Sequence, residues 1–131
     1  MKKLLFILLI FPVISFAQEN WEYVGKDSDN GEYFIKDAKK NYSNNVVFWT
    51  KELQADKIVK TKKGAITKKG GSRIQQLSVD CTKKTIEITS NTEYNSSGKV
   101  IVSSRGSFIP EPAVPDSVGE MVLLAGCRAA N

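Results

Sequence analysis

Two thiols, two neighbouring pairs of carboxylates and one dense run of amines are the side chains in this sequence with chemistry to offer. The thiols are Cys81 and Cys127. The carboxylate pairs are Asp27 with Asp29 and Asp116 with Glu120. The amines fall between Lys51 and Arg73, where eight basic residues meet only Glu52 and Asp56. Histidine is absent from all 131 residues. That excludes Ser-His-Asp and Cys-His nucleophile systems, histidine-ligated metals and histidine-ligated haem. Two cysteines without a histidine make a poor zinc site. No glycine-rich phosphate cradle is present, and no cofactor is expected. A glycosidase-type carboxylate pair needs a cleft that holds a sugar, which a single helix on a sheet rarely supplies at this length. Asp27 and Asp29 instead suit the support of a turn at Asn30-Gly31. Asp116 and Glu120 suit a helix N-terminus. The chain therefore reads as non-enzymatic.

The compartment decides what the thiols do. Lys2 and Lys3 precede an uncharged apolar run from Leu4 to Ile14, and Ser15 and Ala17 set small residues at −3 and −1 of a cleavage site before Gln18. This is the pattern of a secretory signal peptide over 1–17, too short in its apolar part to span a bilayer. No cysteine follows the small residues, so no lipobox is read here. Cleavage leaves a single domain over 18–131 and lowers the 19 basic side chains to 17, against 14 acidic ones. The location expected is periplasmic or extracellular. Two thiols in an exported chain normally pair. A Cys81–Cys127 bond would close a loop that contributes about 4 kcal/mol by chain entropy.

The elements around these residues follow from periodicity. Trp21–Val24, Glu32–Lys36, Val46–Gln54, Ser72–Asp80, Lys84–Ser90 (running on to Tyr94) and Lys99–Ser104 read as short strands separated by turn residues. Val47, Trp49 and Leu53 share one face, Leu77, Val79 and Cys81 another, and Ile86 and Ile88 a third. Asp37–Asn45 reads as a polar loop. Pro110, Pro112 and Pro115 make an extended approach to a helix. That helix opens on the capping-box pattern Ser117-Val-Gly-Glu120, with Val118, Met121, Val122 and Ala125 at helical spacing. Gly126 is expected to end it, placing Cys127 at or just past the end. The fold class is α+β: an antiparallel sheet of five or six strands with one C-terminal helix packed on it and tethered by the disulfide.

The amine-rich stretch Ala55–Gly71 has few apolar anchors and reads as a mobile loop or a long, loosely held hairpin. Lys57, Lys60, Lys62, Lys63, Lys68, Lys69 and Arg73 are the candidate ligand-binding residues. They suit electrostatic contact with a polyanion or an acidic surface. Nucleic acid fits poorly, because no aromatics are interleaved for stacking on bases and export removes the chain from the cytosol.

The ordered residues resemble the surface-adhesin protein E family of Gram-negative bacteria. Trp21 leads into the acidic Asn30-Gly31 turn, with Tyr33 and Asp37 after it. Val47-Phe-Trp49-Thr-Lys51 follows, then Asp80-Cys81, Tyr94, Gly98-Lys-Val100, Phe108, Pro115-Asp-Ser117-Val-Gly-Glu120 and Cys127. The resemblance spans roughly 21–127. It implies an adhesin that binds host matrix and plasma proteins and can form a homodimer. The rival expectation is a periplasmic structural or accessory module that binds another envelope protein.

Overall fold

A computed structural model describes residues 19–131; the signal peptide expected over 1–17 lies outside them. Six strands form one antiparallel meander: β1 (Glu22–Lys26), β2 (Glu32–Lys40), β3 (Val46–Leu53), β6 (Ser72–Asp80), β7 (Thr85–Tyr94) and β8 (Val100–Arg105). Between β3 and β6 the chain makes a separate hairpin, β4 (Lys57–Thr61) and β5 (Gly64–Lys68). A two-residue strand, β9 (Glu111–Pro112), pairs with the start of β7. The helix α1 (Val118–Ala129) closes the domain.

One loop design joins three of the strand pairs. Asp27, Asn41 and Asn95 each donate a backbone N–H to the carbonyl four residues on, and accept from the N–H three residues on. Each also accepts two further backbone N–H groups on its side-chain Oδ1, from residues two and four ahead. The residue three ahead takes the left-handed conformation: Asn30 at φ 63°, Asn44 at φ 64° and Gly98 at φ 80°. Asparagine and glycine tolerate that conformation best. The turn expected at Asn30-Gly31 is thus centred two residues early, on Ser28 and Asp29, and β2 begins at Glu32. The loop expected over Asp37–Asn45 is shorter, because β2 continues to Lys40 past a register shift between Lys36 and Lys39.

The core lies between α1 and one face of the sheet. Ile35, Val46, Phe48, Leu77 and Val79 supply the sheet side, and Val122, Leu123 and Ala125 the helix side. Val47, Trp49 and Leu53 do share a face, but it is the one turned away from α1. Both faces of β3 carry apolar residues, so alternation alone did not say which was the core. Leu123, absent from the expected apolar stripe, is fully buried; a leucine so placed contributes about 1.5–3 kcal/mol.

Both ends of α1 are fixed. Ser117 adopts an extended N-cap conformation and its Oγ accepts from the Glu120 N–H at 3.2 Å. Glu120 reaches back to accept from the Asp116 N–H at 2.8 Å. Near the other end Cys127 bonds to Cys81, just beyond β6. Gly126 does not end the helix; α1 runs on to Ala129. The glycine serves close approach instead, since a Cβ there would overlap the Phe48 ring.

That contact gives a prediction whose sign is opposite to helix propensity. Alanine is favoured over glycine inside a helix by up to about 1 kcal/mol. Overpacking a core costs about 1–3 kcal/mol. Gly126→Ala is therefore expected to destabilise the domain, read as a lower urea midpoint with an unchanged slope; a raised midpoint would refute the packing account.

Candidate binding surface

The amine-rich segment is the outer part of a single long hairpin. β3 and β6 pair from Val46↔Val79 to Leu53↔Ser72, and the Gln54 N–H then donates to the Gly71 carbonyl. Beyond a break at Ala55–Gly70, Lys57↔Lys68 resumes in the same register and continues to Thr61↔Gly64. The ribbon leaves the sheet at the break. At about 3.3 Å per residue its five paired positions reach roughly 17 Å past that point. All ten strand residues of β4 and β5 are exposed.

A polar clasp holds the break. Asp56 accepts from Lys69 Nζ at 2.7 Å and from the Gly70 N–H at 2.9 Å. At the tip, Thr61 Oγ1 donates to the Gly64 carbonyl at 2.8 Å and accepts from the Lys63 N–H. Lys57 Nζ lies 4.0 Å from Asp29. Among the described residues no carboxylate lies within ion-pair reach of Lys60, Lys62, Lys63 or Lys68.

Arg73 stands apart from these lysines. It lies on β6, where its Nη1 pairs with Glu52 and its Nε with Glu93, each at 3.1 Å. All three side chains are partly buried, and cross-strand register sets them side by side on the helix-facing surface. Arg73 therefore ties three strands together. Its charge is met, unlike that of Lys60, Lys62, Lys63 and Lys68.

One carboxylate of each pair, Asp27 and Glu120, serves local structure. Asp27 is held below its ordinary value of 3.8, chiefly by the Gly31 N–H and also by Tyr33 Oη and the Asp29 N–H. Burial, then the hydrogen bond to Asp27, raises the Tyr33 phenol above its ordinary range. Glu120 caps α1 and lies 3.7 Å from Lys84.

Two further surfaces stand apart from the hairpin; the first gathers strand aromatics, which sequence alone leaves divided between packing and an exposed binding face. On the face turned away from α1, Lys51 Nζ sits 4.5 Å from the Trp21 ring centre and 5.5 Å from that of Phe34. Tyr23 meets Phe34 edge-on at 5.5 Å. Alternation on β2 and β3 carried that signal, but nothing marked which face lay open. On the α1 side, a cleft of about 380 Å³ opens between the helix start, the chain leading to it and the sheet. Leu77, Ile86, Ile88, Ile109, Val118 and Val122 line it, with Tyr33, Glu52 and Gln75 at its polar end. It depends on how residues 107–114 cross the sheet, which no local pattern specifies. No helix among the described residues is long and apolar enough to cross a membrane.

A family model described as surface-adhesin protein E matches residues 21–128. No curated protein and no solved structure matches the chain.

The clasp has a defined pH window. Asp56 is lowered from 3.8, first by the Lys69 hydrogen bond and then by the Gly70 N–H, and Lys69 is raised from 10.5 by the same carboxylate. A lowered carboxylate adds stability above its unfolded value and loses it as pH falls through the folded one; a raised amine adds stability below its unfolded value and loses it as pH rises through the folded one. The clasp is thus complete between those two ordinary values. Asp56→Asn at neutral pH is expected to speed amide exchange in 57–68 by about threefold while β3 and β6 keep their protection. Equal acceleration in β6 would show that the clasp supports the whole sheet.

Proposed function

The chain belongs to the surface-adhesin protein E family, and on that premise we propose that it is a non-enzymatic, exported binding protein of the Gram-negative cell exterior. It contacts acidic regions of host matrix or plasma proteins, or polyanions associated with them, through Lys57, Lys60, Lys62, Lys63, Lys68 and Lys69.

The observation that supports this reading is the hairpin itself. Six lysines are gathered on a ribbon that stands clear of the sheet, and four of them have no acidic partner among the described residues. Amines kept unpaired and solvated hold their charge available to an incoming anion and speed its encounter. The core and the disulfide are built from other segments, so the hairpin's charge is not needed to hold the fold.

Immobilised heparin tests the reading. The chain from Gln18 onward is expected to be retained at low salt and released as ionic strength rises, because exposed charges are screened beyond about 10 Å at 0.1 M salt. Changing Lys60, Lys62, Lys63, Lys68 and Lys69 to Ala is expected to abolish retention. Arg73→Ala is expected to leave retention unchanged and to lower thermal stability. Equal retention of the five-lysine variant and the parent would overturn the proposal.

A further inference from the structure

The hairpin carries more than charge. Ile58 is 76% exposed, Val59 40% and Ile66 55%. A solvated loop whose only task is charge has no use for three β-branched aliphatic residues in water, and their transfer out of water is favourable.

Register sorts them onto two faces. Val59 pairs directly with Ile66, and the same face carries the Lys57↔Lys68 pair one step nearer the base. On that face Thr61↔Gly64 follows toward the tip, and Lys62 and Lys63 form the turn that closes the whole ribbon. The apolar pair is thus framed by amines at both ends. The opposite face holds Ile58↔Thr67 and Lys60↔Ala65, where apolar and polar residues are not grouped. An apolar centre with a cationic frame matches an interface that is apolar inside and anionic at its rim. A soluble polyanion offers only the second property. A bilayer with anionic headgroups offers both, at the depth that exposed side chains of a hairpin reach.

We infer that the Val59–Ile66 face of the β4–β5 hairpin docks on a phospholipid bilayer bearing anionic headgroups. The inference rests on the reading of this hairpin as an electrostatic contact and names the surface it meets. Val59 and Ile66 enter the headgroup region. Lys57, Lys62, Lys63 and Lys68 lie over the phosphates. Each lysine near such a surface raises affinity about fivefold.

Partitioning of the chain from Gln18 onward tests this. The vesicles are phosphatidylcholine alone or phosphatidylcholine with phosphatidylglycerol, at low salt. Binding to the anionic vesicles is expected to exceed binding to the neutral ones by more than about tenfold. Val59→Ser with Ile66→Ser is expected to weaken anionic-vesicle binding by about tenfold while heparin retention is unchanged. Ile58→Ser is expected to change neither. As an independent reading, Ile66→Trp is expected to add a blue-shifted emission component on anionic vesicles, and Ile58→Trp is not. Heparin retention without vesicle binding would overturn the bilayer inference and leave the proposed function standing; loss of both would overturn both. Vesicle binding indifferent to Val59→Ser/Ile66→Ser, or equally weakened by Ile58→Ser, would also overturn the inference.

Discussion

The close seating of α1 on the sheet is the contact from which the remaining architecture follows. A sheet of this size has one helix to cover its core face, so that helix must lie near enough to exclude water from Phe48 and its neighbours. Gly126 permits the approach, because any larger residue would meet the Phe48 ring. Ser117 and Glu120 satisfy the backbone where the helix begins, and the Cys81–Cys127 bond restrains it near the other end. A domain this short buries a limited fraction of its surface. Several independent restraints on one helix are how so few core residues hold a single arrangement.

β6 begins at the hairpin break and ends beside the disulfide, so the covalent tie and the amine-rich hairpin occupy opposite ends of one strand. Along β6 the chain passes from solvated lysines, through the Glu52–Arg73–Glu93 group, to Leu77 and Val79 in the core. Arg73 marks the boundary. In sequence it looks like the last member of a basic cluster. Cross-strand pairing gives it two carboxylates instead.

Much of this was legible in the residues. Alternation in Leu77-Ser-Val79 and Ile86-Glu-Ile88 located the core strands, and the Ser117-to-Glu120 pattern located the helix start to the residue. Local chemistry failed where a distant partner decided the outcome. Gly126 reads as a stop signal because glycine commonly is one; only the Phe48 ring across the interface makes it a packing position. Asp37–Asn45 reads as loop because its residues are polar, yet pairing with β3 extends β2 to Lys40. The lysine-rich hairpin was legible as charge. Its two faces were not, because they depend on the register of Lys57 with Lys68. The family's residue order was readable across nearly the whole domain, since its turns, cysteines and cap are each tied to local backbone geometry.

The excursion between β3 and β6 has an evolutionary consequence. β3 and β6 pair with each other up to Gln54 and Gly71, and their ladder uses none of the residues between those two. Doubling the length of a closed loop costs only about 0.6 kcal/mol. The ribbon beyond the break can therefore be lengthened, shortened or rewritten at small cost to folding. Selection can act on its residues separately from those of the core. Among the described residues this ribbon is the segment least tied to the core, so its sequence can change while the helix, the disulfide and the meander stay the same.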